Sequence, residues 1–146
     1  MKIYLDNCSV QRPLDDKTQI RIALEAEAIL SILALCESGA VELIASETLL
    51  FETRRNPNVS RLEHALEVLS NAKTFVHVND GIENRAKEFI AIGIKPLDAL
   101  HLASAEHAQA DYFCTCDDKF LKKAKSRTDL KTKVVSPIQL IEEIAP

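Results

Sequence analysis

Along this chain, short apolar runs bounded by turn-forming residues alternate with longer stretches in which hydrophobic residues recur every three or four positions. The short runs are Lys2 to Leu5, Val41 to Ala45, Thr74 to Val78, Tyr112 to Thr115 and Val134-Val135, and each reads as a buried strand. The longer stretches predict helices over Thr18 to Ser38, from Ser46 to about Arg55, over Ser60 to Ala72, Asp80 to Ile92, Pro96 to Gln109, Cys116 to about Lys125, and from Ser136-Pro137 to Ile144. Gly39, Asn56-Pro57-Asn58 and Gly93 to Pro96 punctuate them, and Ser46 is a suitable N-cap. Cys8 to Lys17, with Arg12-Pro13 and Asp15-Asp16, reads as a polar loop. Five strands alternating with helices predict an α/β sandwich on a parallel sheet, in one domain spanning 1–146.

The helix from Thr18 would be about 30 Å long. Its apolar positions wrap beyond one stripe, so it either packs deeply or offers a surface to a partner. Arg21, Glu25 and Glu27 exclude a membrane span there. Met1-Lys2 leads directly into a strand, which predicts no signal peptide, no membrane contact and a cytoplasmic protein. Cys8, Cys36, Cys114 and Cys116 lack the spacing of structural zinc sites and read as reduced residues. The net charge of −4 argues against a general nucleic-acid coat, yet Lys119, Lys122, Lys123, Lys125, Arg127, Lys131 and Lys133 form a local basic run opposed only by Asp129.

The acidic residues are more informative as a set than singly. Asp6 stands where the first strand ends, Glu52 lies in the helix after the second strand, Asp98 opens the helix before the fourth, and Asp117 follows the fourth. Right-handed crossovers bring all four positions to one edge of a parallel sheet, where ligands of open α/β sheets collect. Neighbouring carboxylates repel by about 1 kcal/mol per pair in water and about 4 at a protein-like dielectric, so such a cluster calls for raised pKa values or a bound dication. An all-oxygen donor set selects Mg²⁺ or Mn²⁺, which suits phosphodiester hydrolysis, and the basic run beyond Asp117 would hold the polyanion.

Leu5-Asp6-Asn7, Ser46 with Glu52 six residues on, Leu97-Asp98-Ala99-Leu100-His101 running on to Ala105, Thr115-x-Asp117-x-x-Phe120 and Val135-x-Pro137 together resemble the PIN-domain ribonucleases, including VapC-type toxins. The resemblance spans nearly the whole chain. It implies a five-stranded parallel sheet in the order 3-2-1-4-5 and a Mg²⁺- or Mn²⁺-dependent endoribonuclease, with Asp6, Glu52, Asp98 and Asp117 binding metal and Thr115 orienting Asp117. It further implies RNA as substrate, an antitoxin protein as partner if the chain is a toxin, and homodimers in many members. Asp118, Asn7 and His101 are supporting candidates, His101 through a metal water or phosphate. The competing expectation is a catalytically weak module of the same fold that binds nucleic acid or protein.

Overall fold

In the computed structural model, which describes residues 1–145, five strands form one all-parallel sheet in the order β3-β2-β1-β4-β5. The strands are β1 (Lys2–Leu5), β2 (Glu42–Ser46), β3 (Thr74–Val76), β4 (Tyr112–Cys114) and β5 (Lys133–Val135). Among the described residues eight α-helices accompany them: α1 (Asn7–Gln11), α2 (Ile20–Glu37), α3 (Glu47–Arg54), α4 (Val59–Ser70), α5 (Asp80–Ala91), α6 (Pro96–His107), α7 (Asp118–Lys125) and α8 (Pro137–Ile144). The layered architecture is the one the sequence pattern predicts, and the sheet order is the one the family resemblance implies.

Strand pleating divides the core in two. On β1, Ile3 and Leu5 face one way, joining Leu43, Cys114 and Val135 beneath α2, α4 and α8. Tyr4 faces the other way, joining Ile44, Phe113 and Val134 beneath α5, α6 and α7. The Tyr4 and Phe113 rings stack at 5.1 Å, and Phe120 meets Phe113 edge-on at 5.3 Å. β1 lies at the centre, with Ile3 in register with Leu43 on one side and Tyr112 on the other. Its last residue therefore opens onto the switch between the two winding directions.

The largest departure from the sequence reading comes just after β1. Cys8 to Lys17 is not a loop throughout, because α1 begins at Asn7 and a 3₁₀ turn follows over Arg12–Leu14. The Asp6 side chain accepts the Ser9 amide and so caps α1, while Val10 is buried and Gln11 donates to the Arg61 carbonyl at 3.0 Å. A single turn of helix carries too few apolar positions to reveal itself by periodicity. α2 starts at Ile20, two residues later than expected, and gives way to Gly39 with φ +82°. It buries Ile29, Ile32 and Cys36 but leaves Ile20, Leu24 and Leu30 exposed. No helix among the described residues is long and apolar enough to cross a membrane.

Phe113→Ala removes the ring between Tyr4 and Phe120 and should lower the unfolding free energy by about 3–5 kcal/mol in urea titrations. Ile90→Ala, at an exposed position, should change it by less than about 0.5 kcal/mol. Equal losses from the two would contradict this placement of the core.

Candidate functional site

Asp6 is the residue at which β1 stops, and it is almost wholly buried. Its Oδ1 accepts the Ser9 amide at 3.0 Å and the Cys8 thiol at 3.1 Å, so the same carboxylate that ends the strand starts a helix. Asp117 plays the matching part after β4, where its Oδ1 caps α7 by accepting the Lys119 and Phe120 amides at 3.0 and 3.1 Å. Behind it, buried Thr115 accepts the Asp117 amide at its Oγ1, 3.1 Å away. Each aspartate is thus fixed by backbone at one oxygen and leaned toward the sheet edge.

Asp98 sits in the first turn of α6, whose N-terminus Pro96 preorganises. Glu52 lies in α3, and its Oε1 is 2.8 Å from His101 Nε2. Asp6, Glu52, Asp98 and Asp117 line one open cavity of about 220 Å³ together with Asn7, Cys8, Arg12, His101 and Cys116. None of the four acids forms an ion pair with a Lys or Arg among the described residues.

The electrostatics follow from that arrangement. Burial raises the Asp6 carboxyl, against the lowering effect of hydrogen bonds from Thr115, Cys8 and Ser9. Asp98 is pushed up to about 6, first by desolvation and then by the charge of Asp6, with Asp117 and Glu52 adding to it and His101 opposing it. As they stand, no three His, Cys, Asp or Glu side chains among the described residues are gathered tightly enough to hold one ion. The donor chemistry nonetheless fits a hard dication. The donors are carboxylate oxygens, no Lys or Arg is paired to them, and Asn7 Oδ1 at the same cavity is buried with no hydrogen-bond partner.

Other candidates lie elsewhere or act differently. Asp118 is exposed outside the cavity and forms a two-point pair with Arg21, both contacts 2.6 Å. His101 is buried, and both ring nitrogens are engaged, by Glu52 and by the Tyr4 hydroxyl at 2.6 Å. The basic run winds along α7 and beyond, with Arg127 paired to Asp129 and Lys133 to Glu143. Lys119 and Lys123, together with Lys95, line a groove that shares Asp98 and Asp117 with the acidic cavity. Sequence reasoning missed Arg12 at the cavity wall and its partner Glu25, buried in α2 and 3.0 Å away. A glutamate in the middle of an apolar helix was the available signal. The four cysteines are free, and Cys8 and Cys116 border the cavity.

The family model for the PIN domain matches residues 3–126 of this chain. Among solved structures, FitAcB from Neisseria gonorrhoeae superimposes with a TM-score of 0.59 at 16% sequence identity, covering 93% of this chain and 98% of that one. At that identity the likeness concerns the fold. No curated protein sequence matches the chain.

The raised Asp98 pKa makes a stability prediction for the metal-free protein. The folded state holds this proton more tightly than the unfolded chain, whose carboxyl titrates near 3.8, so its contribution to stability is complete below that value and lost as pH rises through about 6. Thermal unfolding should therefore fall in midpoint between about pH 4 and about pH 7, and Asp98→Asn should flatten that fall. A variant with an undiminished slope would show that another group carries it.

Proposed function

The chain belongs to the PIN domain family, whose members are generally nucleases that use divalent metals, and we propose that it is a Mg²⁺- or Mn²⁺-dependent endoribonuclease hydrolysing RNA phosphodiester bonds. The observation that carries this reading is the meeting of Asp6, Glu52, Asp98 and Asp117, drawn from four distant segments, around one cavity without a basic counter-charge paired to any of them. These four residues would hold the metal, with the partnerless Asn7 Oδ1 beside them. A bound dication supplies charge for the phosphate and lowers the pKa of water.

The rest of the work falls to the chain itself. The helix-capping bonds of Asp6 and Asp117 keep their carboxylates from turning away, so the acidic wall is built before any ligand arrives. Lys95, Lys119 and Lys123 in the adjoining groove would draw the polyanion along α7 and leave a phosphate next to Asp98 and Asp117. In the toxin reading the partner is an antitoxin protein, and a second copy of the chain is the other candidate partner, since the resemblance implies homodimers in many members. A binding module without catalysis is the second reading, favoured by the absence of a tight three-ligand cluster among the described residues.

Incubation with a generic single-stranded RNA and Mn²⁺ or Mg²⁺ separates the two. The native protein should cleave, chelation should stop it, and Asp6→Asn should lower the rate by about two to three powers of ten, the equivalent of several kcal/mol. Binding without metal-dependent cleavage would favour the module. For the groove, Lys95→Gln and Lys119→Gln should each weaken RNA binding across sequences and reduce the salt slope by about 0.7 per lost phosphate contact. An unchanged slope would place the RNA path elsewhere.

A further inference from the structure

Core packing accounts for the rings of Tyr4 and His101 but not for the polar atoms they carry. Tyr4 is 0%, Ser46 0% and His101 1% exposed, yet three polar groups that a core would normally avoid are strung together there. Ser46 Oγ accepts the Leu49 amide at 3.0 Å as the cap of α3. The Tyr4 hydroxyl is 2.6 Å from that Oγ and 2.6 Å from His101 Nδ1, and His101 Nε2 is 2.8 Å from Glu52 Oε1.

With no water expected at such buried atoms, hydrogen counting decides how the protons lie. Suppose that Tyr4 donated to Ser46. The Ser46 proton would then have no acceptor among the described residues, and His101 Nδ1 would have to donate to Tyr4. A neutral ring would in that case turn the Nε2 lone pair on the Glu52 oxygen, two acceptors at 2.8 Å, and a charged ring would still leave the serine proton unplaced. In the opposite order every group is satisfied: the Leu49 amide donates to Ser46, Ser46 to Tyr4, Tyr4 to Nδ1, and Nε2–H to the carboxylate.

We propose that Ser46, Tyr4 and His101 form a one-way hydrogen-bond chain that fixes His101 as the Nε2–H tautomer and makes it the positioning residue for Glu52. The chain starts from an α3 amide and returns to an α3 side chain after passing through β2, β1 and α6. Because His101 stands one turn after Asp98 on α6, a single helix delivers one acid to the cavity and grips another. Glu52, the most exposed partner in the chain with 29% of its side chain accessible, would otherwise sample several rotamers on the surface of α3. With Oε1 held, Oε2 is the oxygen that would be left for a dication. This role rests on the reading of the cavity as a metal site.

Two measurements test the proposal, the first of them without metal. In ¹⁵N-edited NMR of the metal-free protein labelled at histidine, His101 should show an unprotonated Nδ1 and a protonated Nε2, and Tyr4→Phe, which keeps the ring and removes the donor, should shift the Nδ1 resonance. A proton on Nδ1 in the native protein would overturn the chain. The second measurement is Mn²⁺ binding by calorimetry. His101→Ala should weaken it about tenfold or more, whereas His101→Gln, whose side-chain amide can still donate to Glu52, should recover most of the loss at comparable thermal stability. Equal Mn²⁺ affinity in the native protein and in His101→Ala would overturn the positioning role. If the native protein fails to bind Mn²⁺, the metal reading of the cavity falls, and the tautomer then decides the hydrogen-bond chain alone.

Discussion

Burial of a carboxylate at the end of the central strand is the constraint around which this molecule is arranged. A charge removed from water is tolerable only when polar groups are aimed at it, and Asp6 obtains them from a serine amide, a cysteine thiol and the Thr115 hydroxyl. Those partners come from α1 and from the residue just past β4, so the local sequence on both sides of the switch point is committed to one side chain. The parallel sheet then brings other acids to the same edge because its connections admit few alternatives.

The aspartates that leave β1 and β4 share an economy of form. A strand of a parallel sheet must end before a helix begins, the helix presents unsatisfied amides, and an aspartate at the junction satisfies them with one oxygen while its other oxygen stays available. Structural and functional readings of these residues are therefore not rivals. The same bonds that start α1 and α7 restrict where the carboxylates can go, so fold stability and site geometry are coupled at these two positions.

Much of this was legible in the sequence, because convergence of the acids depends on which end of which element they occupy, and apolar periodicity gives that to within a few residues. Asp6, Asp98 and Asp117 all belong to element ends, where topology alone fixes the edge. What escaped the sequence depends on helix rotation and tilt. The meeting of Glu52 with His101 joins residues 49 apart on helices whose relative orientation no local pattern encodes. Tyr4 reads as a core aromatic because its hydroxyl has partners only after three elements have packed. Asp118 stands next to Asp117 in sequence, but the start of a helix turns the two to different sides, one toward the cavity and the other toward Arg21. The short α1 reads as loop because Asn7–Gln11 holds few apolar residues and is followed at once by the turn-forming Arg12-Pro13 and Asp15-Asp16.

Arg12 is the one Lys or Arg among the described residues that lines the acidic cavity, and its terminal nitrogens are already paired. Glu25 holds its guanidinium at 3.0 Å from within α2, and Asp15 holds it at 2.9 Å from the surface. The arginine is thereby engaged by carboxylates other than the four acids, which keep their negative field for something that arrives from outside. A buried glutamate in a helix that contributes nothing to the cavity thus acts as a guard. Without Glu25 and Asp15 together, the molecule would carry its own inhibitor, an unpaired positive side chain at the wall of the site.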